Sequence, residues 1–214
     1  MKSYVVIGLG RFGMELAASL YERGEEVLVI DTDETLVDKM ADRVTRAVAA
    51  DARDRDVLEK LGVENFDRAI VAVGTDLASS ALITMNLKAL KIRYILCKAG
   101  DNTHKEILER LGADRVIIPE RDMAEKLAIS LTSTGILDFI ELSDEYGIVE
   151  MSVPAKWRGK SVRELKLRSR YGVNVIAIRQ GDEISIPPDA DTSLQDSMIL
   201  VLLGRYDQIN QIKE

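Results

Sequence analysis

A glycine-rich segment near the start of the chain, residues 8–13, has the pattern G-x-G-x-x-G. An apolar run, residues 4–7, precedes it, and an amphipathic run over residues 12–20 follows it. A second apolar run, residues 27–30, ends at the acidic residue Asp31. Strand, glycines, helix, strand and acid in this order are typical of a dinucleotide-binding βαβ unit and predict a nucleotide site here.

Each glycine has a separate expected role in such a unit. Gly8 makes the tight turn, Gly10 lets the backbone approach a pyrophosphate, and Gly13 lets helix and strand pack closely. The phosphates would lie at the helix N-terminus, where unpaired N–H groups and the helix dipole favour anions. Asp31 would accept a hydrogen bond from a ribose 2′-hydroxyl, which disfavours NADP. ATP, ADP, AMP and NAD all carry a free ribose, so these four ligands stay open.

Arg11 lies inside the glycine segment, where dehydrogenases usually carry a small or apolar residue. A guanidinium there can meet phosphate oxygens with several donors, or it can point to solvent as an ordinary surface arginine. Asp33 and Asp51 are further polar candidates at strand ends, although either fits equally well as a helix cap or a turn residue.

Composition excludes several classes of protein. Of 214 residues, 46% are hydrophobic and 30% are charged, with a net charge of -7. An acidic chain argues against a nucleic-acid surface, because phosphate binding needs a basic field. No apolar run approaches the roughly 20 residues that span a bilayer, and the first residues read as a strand rather than a signal peptide. The single cysteine, Cys97, excludes an internal disulfide and fits a buried strand thiol, so we expect a cytoplasmic protein.

Alternating strand and helix signals predict an α/β fold with a doubly wound parallel Rossmann sheet for the first 130 or so residues. Continuous apolar runs mark strands that are buried on both faces. The predicted strands cover residues 4–7, 27–30, 47–50, 69–74, 94–97 and 116–118. The predicted helices cover residues 12–20, 34–41, 54–61, 76–90 and 103–111.

The pattern changes after residue 119. Residues 123–131 read as an amphipathic helix, residues 133–135 as a glycine-centred break and residues 136–142 as a short helical continuation. Such a pair of helical pieces suggests a crossover arm outside the sheet. We therefore divide the chain into a nucleotide-binding domain, residues 1–132, and a second part, residues 133–214, with the rest of the crossover and a small C-terminal domain.

The C-terminal signals predict an α+β domain of roughly 70 residues, a size at which a separate core is possible. Its predicted strands cover residues 148–153, 173–178, 184–186 and 198–203, and its predicted helices cover residues 161–165 and 206–212. The two middle strands flank a Gln-Gly-Asp turn and should form a hairpin.

A Rossmann sheet invites a dehydrogenase interpretation, yet the sequence offers no catalytic apparatus. The one histidine, His104, has no partner acid at a motif spacing, which favours a solvent-exposed or capping role. Tyr94 and Lys98 match the Y-x-x-x-K pair of short-chain dehydrogenases, but that pair works on a helix. In a strand the two residues would lie roughly 13 Å apart. A NAD-dependent oxidoreductase stays the alternative function, while a redox-sensing repressor is opposed by the acidic charge.

Several stretches beyond the glycine segment carry a family resemblance. They are residues 6–13, 31–33, 66–74, 98–99, 107–124, 137–150 and 167–178. Among them, I-I-P-E-R-D-M at residues 117–123 is far more specific than the glycine pattern. Together they cover nearly all of the chain and resemble the cytoplasmic regulatory subunits of bacterial Ktr/Trk potassium-uptake systems, built from an RCK (KTN) nucleotide-binding domain and a small RCK C-terminal domain.

The resemblance implies a gating subunit rather than an enzyme. Dimers would assemble into an octameric ring beneath an integral-membrane potassium-translocating subunit, at the inner face of the membrane, and ATP and ADP would hold the ring in different shapes. Of the candidate nucleotide ligands, the resemblance implies Gly8, Gly10, Arg11, Gly13 and Asp31. The other candidates are Phe12, Asp33, Asp51, Ala52, Val73, Gly74 and Lys98, although the chain departs from the family pattern at residues 50–52. Arg11 is expected at the terminal phosphate.

Two further sites are implied by the same resemblance. Glu120 maps to a site for Mg²⁺ or Ca²⁺ near the terminal phosphate at the dimer interface, since a carboxylate that faces a triphosphate needs a cation between them. Its alternative role is an acid at a helix N-terminus without metal. Cyclic di-AMP is expected in the small domain, at Val162, Leu167, Arg168, Asn174, Val175 and Pro187. These residues would otherwise build a dimer core.

The apolar arm at residues 123–142 predicts an oligomer, because an exposed patch of that size would aggregate. The residues expected to pack against a partner chain are Leu127, Leu131, Ile136, Leu137, Phe139 and Ile140.

Overall fold

A computed structural model describes residues 1–74, 76–132, 135–143 and 145–212. The chain divides into two compact units, Met1–Asp122 and Met123–Glu214. The division falls inside one helix, α6 (Pro119–Thr132), whose end is the domain boundary that we predict from the sequence. Residues 133 and 134 of the predicted break lie outside the described residues.

The first unit is a six-stranded parallel sheet with helices. Its strands are β1 (Ser3–Ile7), β2 (Glu26–Asp31), β3 (Arg46–Ala49), β4 (Arg68–Val71), β5 (Ile95–Lys98) and β6 (Arg115–Ile117). Its helices are α1 (Arg11–Glu22), α2 (Glu34–Met40), α3 (Arg55–Lys60), α4 (Leu77–Ala89) and α5 (Asn102–Arg110), with a 3₁₀ turn at Val63–Asn65. The strand order β3-β2-β1-β4-β5-β6 confirms the doubly wound Rossmann sheet.

Both faces of this sheet are buried, which explains the continuous apolar strands. Val5 and Ile7 belong to one hydrophobic cluster, whereas Val6 between them belongs to the other. The central strand β1 pairs in parallel with β2 and with β4. Because the chain order reverses between β1 and β4, the loops that follow these strands diverge and leave a crevice at their carboxyl ends. The glycine segment lies at this crevice.

Two polar side chains in the core of the first unit hold neighbouring elements together. The sequence favours a solvent-exposed or capping role for His104, but the structure shows that this side chain is buried. Its Nδ1 accepts the Gly100 N–H at 3.3 Å, and its Nε2 lies 2.7 Å from Ser80 Oγ. Cys97 is the buried strand thiol that the sequence predicts, 3.3 Å from Thr84 Oγ1, and burial raises its pKa to about 11.

The second unit is a five-stranded antiparallel sheet with short helices. Its strands are β7 (Ile136–Glu141), β8 (Tyr146–Ser152), β9 (Asn174–Gln180), β10 (Glu183–Ser185) and β11 (Met198–Arg205). Its helices are α7 (Val162–Leu165), α8 (Leu167–Tyr171) and α9 (Tyr206–Ile209), with a 3₁₀ turn at Ala155–Trp157. The strand order is β10-β9-β11-β8-β7, and β9 and β10 form the predicted hairpin.

The arm after residue 135 corrects the sequence prediction. Residues 136–142 were expected to continue the helix, but Ile136–Glu141 is strand β7 and pairs antiparallel with β8. The run I-L-D-F-I-E is too short for its apolar spacing to separate a helix from a strand, and pairing with β8 decides the outcome.

Among the described residues, no helix is long and apolar enough to cross a membrane.

Candidate nucleotide site

The glycine segment borders the crevice at the carboxyl ends of the parallel strands. Gly8 has a φ of +97°, in the left-handed region that favours glycine, and its N–H donates to the Ile30 carbonyl at 2.9 Å. A Cβ on Gly13 would lie 1.9 Å from the Gly8 carbonyl oxygen, so a larger residue cannot fit without displacing backbone. A Cβ on Gly10 would meet nothing within 4 Å. The backbone at Gly10 therefore faces open space, where a phosphate can approach.

The N-terminus of α1 is the best anion site among the helices of the first unit. The helices α2, α3, α4 and α5 are each preceded by an aspartate whose carboxylate accepts a first-turn N–H. Helix α1 instead begins after Gly10, with no side-chain cap and no acid in its first turn. Its first N–H groups and its dipole thus face the crevice without a carboxylate competing for them.

Asp31 fixes the glycine segment to the end of β2. Its Oδ2 accepts the Leu9 N–H at 2.5 Å, and its Oδ1 accepts the Asp33 N–H at 3.0 Å. Each carboxylate oxygen has a second lone pair, so a ribose hydroxyl can still donate to this residue. The carboxylate of Asp33 accepts the Thr35 N–H at 2.9 Å and caps α2, which is the structural alternative that the sequence leaves open for Asp33.

Asp51 forms a bidentate ion pair with Arg53. Arg53 Nε lies 2.9 Å from Oδ1 and Nη2 lies 2.7 Å from Oδ2. These hydrogen bonds, with one from the Arg53 N–H, lower the pKa of Asp51. Arg53 lines the crevice beside the buried residue Ala52, and no sequence motif marks it as a site residue.

Most of the predicted ligands line two adjoining cavities of the first unit, which share Gly8, Asp31 and Val73. One cavity, of about 720 Å³, is lined by Gly8, Gly10, Arg11, Phe12, Glu15, Asp31, Ala72, Val73, Gly74, Lys98 and Glu120. The other, of about 300 Å³, is lined by Ile7, Gly8, Ile30, Asp31, Thr32, Ala50, Asp51, Ala52, Arg53, Val73, Asp76, Ser79 and Ile83. Gly13 and Asp33 line neither cavity. Volumes of this order accommodate a small-molecule ligand.

An ion pair between Lys98 and Glu120 lines the larger cavity at the end of β5. Lys98 Nζ donates to Glu120 Oε1 at 2.6 Å, and the lysine side chain is only 16% exposed. Its ammonium lies 6.0 Å from the centre of the Phe12 ring, and its stem lies close to Gly74, where a Cβ would be 3.0 Å from Lys98 Cδ. The hydrogen bond from Lys98, the backbone N–H of Glu120 and the charge of Arg11 lower the pKa of Glu120.

The metal site that the family resemblance implies at Glu120 does not fit these residues. The described part of the chain has no group of three or more His, Cys, Asp or Glu side chains that could hold a metal ion. The Glu120 carboxylate is already paired with the Lys98 ammonium. A divalent cation at this carboxylate would meet a positive charge where Mg²⁺ and Ca²⁺ require further oxygen ligands.

A third cavity, of about 640 Å³, lies in the second unit. It is lined by Val162, Arg163, Lys166, Leu167, Arg168, Ser169, Val173, Asn174 and Val175. It brings together the residues predicted for cyclic di-AMP except Pro187, which does not line it. Arg163 is held by Asp191 at 2.7 and 3.1 Å. Within the described residues Arg168 has no acidic partner, so its guanidinium is available to an anion.

Comparison with known proteins places both units in one family. The TrkA-N domain model matches residues 4–119, and the TrkA-C domain model matches residues 148–214. This chain belongs to the TrkA family. Ktr system potassium uptake protein C of Bacillus subtilis (strain 168) is 38% identical over 213 residues, which cover 100% of this chain and 96% of the relative. Ktr system potassium uptake protein A of the same organism is 39% identical over 212 residues, with coverages of 99% and 96%.

Solved structures of RCK domains share the TrkA fold. The RCK domain of GsuK superposes with a TM-score of 0.71 at 22% identity, over 97% of this chain and 46% of that chain. Together with the sequence relatives, this similarity confirms the fold and the family predicted from the sequence. The TrkA-N match contains every residue of the two crevice cavities except Glu120, and the TrkA-C match contains the whole lining of the third cavity.

Proposed function

We propose that this chain is a nucleotide-sensing regulatory subunit of a potassium-uptake system. The observation that carries the proposal is the crevice, where a glycine turn, an uncapped helix N-terminus, Asp31 and the cations Arg11 and Lys98 surround one cavity. An adenine nucleotide would place its phosphates at α1 and its ribose at Asp31. ATP and ADP are the proposed ligands, with AMP and NAD as others that carry the same ribose. The relatives named as Ktr potassium uptake proteins supply the transport context.

A regulatory role explains the site better than a dehydrogenase does. A dehydrogenase needs a residue that transfers a proton beside the substrate carbonyl. His104, the one histidine of the chain, lines neither crevice cavity and uses its ring nitrogens on Gly100 and Ser80. Lys98, part of the Y-x-x-x-K pattern, lies on a strand and pairs with Glu120. We therefore propose a non-enzymatic subunit that acts through an integral-membrane potassium-translocating partner at the inner face of the membrane.

Arg11 is the residue that should tell ATP from ADP. Both nucleotides share the adenosine and the glycine-segment contacts, and contacts that are equal in both cannot shift an equilibrium. Arg11 is exposed at the cavity and makes no ion pair within the described residues. A charge-assisted hydrogen bond to the γ-phosphate contributes roughly 1.5–3 kcal/mol, which is roughly a ten- to hundredfold preference. Arg11→Ala should keep the affinity for ADP and lose this preference for ATP.

Calorimetry with each nucleotide measures the affinities of wild type and Arg11→Ala. Potassium transport in vesicles reconstituted with the membrane partner measures the response to ATP and ADP. Arg23→Ala, which removes an exposed arginine at the other end of α1, is the matched control. A variant Arg11→Ala that still responds differently to ATP and ADP would place the switch elsewhere.

We also propose that the protein is a homo-oligomer, at least a dimer and in the complete system an octameric ring. Apolar side chains of α6 and β7 support this, since Leu127, Leu131, Leu137 and Ile140 are exposed. Phe139, expected at the partner interface, is instead buried in the core of the second unit. Light scattering should give a multiple of the 23.8 kDa chain mass, and Leu127→Gln with Leu131→Gln should lower it. A wild-type monomer would contradict the proposal.

The third cavity is the proposed site for cyclic di-AMP. Arg168 would pair with a phosphate and Asn174 with an adenine edge, while Val162, Leu167 and Val175 line the base pocket. Loss of a charge-assisted hydrogen bond in Arg168→Ala should weaken binding by roughly tenfold or more. Calorimetry with wild type, Arg168→Ala and the control Arg170→Ala, an arginine outside the lining, tests this. A folded wild type that gives no heat would refute the site.

A further inference from the structure

We infer that the ammonium of Lys98 is the cation between the nucleotide phosphates and Glu120, so that binding of the diphosphate needs no divalent metal ion. The inference rests on the proposed nucleotide site and deepens it. The family resemblance implies a metal ion at the Glu120 carboxylate. In this inference the Lys98 side chain takes the place of that ion.

The position of the Lys98 ammonium is set by the fold. Lys98 is the last residue of β5, and its stem is packed close to Gly74. Phe12 covers the ammonium at 6.0 Å, and Glu120 accepts one of its three N–H donors at 2.6 Å. Two donors remain for other acceptors. With only 16% of the side chain exposed, the ammonium is held at the cavity wall instead of moving freely in solvent.

A cation beside Glu120 offsets negative charge at the cavity wall. Glu120 lies in the first turn of α6 and lines the same cavity as Gly10 and Arg11. A phosphate that reaches the α1 N-terminus therefore approaches the Glu120 carboxylate, and two anions repel each other. An ammonium that donates to both removes this repulsion. Lys98 already occupies Oε1 of this carboxylate, so a divalent ion at Glu120 would lie close to the positive charge of the lysine.

The same arrangement connects the ligand with α6. Glu120 and Lys98 are 22 residues apart and belong to different elements, the start of α6 and the end of β5. The Lys98 ammonium donates to Glu120 in the first turn of α6. A phosphate that accepts from the same ammonium therefore shares a donor group with Glu120. Binding of a nucleotide thus affects the hydrogen bond of Glu120 through Lys98, without a bridging metal ion.

The test is the metal dependence of ADP affinity, measured by calorimetry in EDTA and in excess Mg²⁺. Wild type should bind ADP in EDTA, with a change of less than about threefold on adding Mg²⁺. Lys98→Met keeps the apolar stem beside Phe12 and Gly74 but removes the charge. It should lose roughly ten- to a hundredfold of its affinity in EDTA, the effect of one charge-assisted hydrogen bond.

Two further variants keep the inference falsifiable. Glu120→Gln should bind ADP in EDTA at least as tightly as wild type, since Lys98 then serves the phosphate alone. Lys105→Met removes a lysine whose partner is Glu109, outside both cavities, and should behave as wild type. Thermal unfolding shows that each variant is folded.

The outcomes separate this inference from the proposed function. A wild type that loses ADP affinity in EDTA, or a folded Lys98→Met that binds ADP unchanged there, would overturn the role of Lys98 and leave the nucleotide site intact. A wild type that binds neither ADP nor ATP under either condition would overturn the proposed function itself.

Discussion

Gly13→Ala is expected to lower the melting temperature by roughly 5–15 °C and to abolish nucleotide binding. The added methyl group would lie 1.9 Å from the Gly8 carbonyl oxygen and 3.2 Å from the Ala72 side chain. Helix α1 must then move away from β1 and β4, and overpacking of this kind costs about 1–3 kcal/mol or more. The displaced helix also takes its N-terminus away from the cavity, so binding and stability should fall together.

Gly10→Ala is the matched control for this effect. A Cβ at Gly10 meets no heavy atom within 4 Å, so the fold should tolerate it and the melting temperature should stay near that of wild type. Its methyl group projects into the space proposed for the phosphates and should still weaken binding. Thermal unfolding and calorimetry on both variants separate packing from ligand approach. A Gly13→Ala protein that melts like wild type would show that α1 has more freedom than its contacts indicate.

The first unit could be predicted from sequence because its local signals agree with its tertiary packing. Strands that are buried on both faces read as unbroken apolar runs, as residues 27–30 show. Four of the helices begin after an aspartate that caps them, so that the start of each is visible in the sequence: Asp33, Asp54, Asp76 and Asp101. Apart from the 3₁₀ turn at Val63–Asn65, which the sequence does not predict, the predicted strands and helices differ from the observed ones only at their ends, by one or a few residues.

The arm at residues 136–141 could not be predicted in the same way. Six residues with apolar side chains at positions 136, 137, 139 and 140 satisfy a helical and an extended pattern about equally. The choice depends on hydrogen bonds with β8, ten residues or so further along the chain. A preference that is set by a distant strand leaves no local signal.

In the candidate site too, some residues could be predicted from local sequence patterns and others depend on contacts between distant parts of the chain. The glycines and Asp31 follow a spacing that reflects backbone geometry, so their roles at the turn are readable from the sequence. The pairs Asp51–Arg53 and Lys98–Glu120 carry no motif. The second pair exists only because β5 and the start of α6 meet at one edge of the sheet. This is why the partner of Glu120 is visible only in the folded chain.

Asp31→Ala is expected to weaken the binding of ATP and ADP equally, by roughly ten- to a hundredfold. Asp31 is proposed to accept the ribose 2′-hydroxyl, which both nucleotides share, in contrast to Arg11, whose loss should separate them. Its carboxylate also holds the Leu9 N–H and the Asp33 N–H, so affinity alone cannot distinguish ribose recognition from support of the loop. A second ligand is needed for that distinction.

Comparison of ADP with 2′-deoxy-ADP isolates the ribose contact as a double-mutant cycle. Wild type should bind 2′-deoxy-ADP roughly tenfold or more weakly than ADP, because the deoxy ligand leaves the Asp31 carboxylate without its donor. Asp31→Ala should bind the two ligands with equal affinity. Asp33→Ala, which removes the cap of α2, should cost about 0.5–2 kcal/mol of stability and preserve the discrimination. If wild type bound both ligands equally, Asp31 would hold the loop and not the ribose, and the restriction to nucleotides with a free 2′-hydroxyl would fall with it.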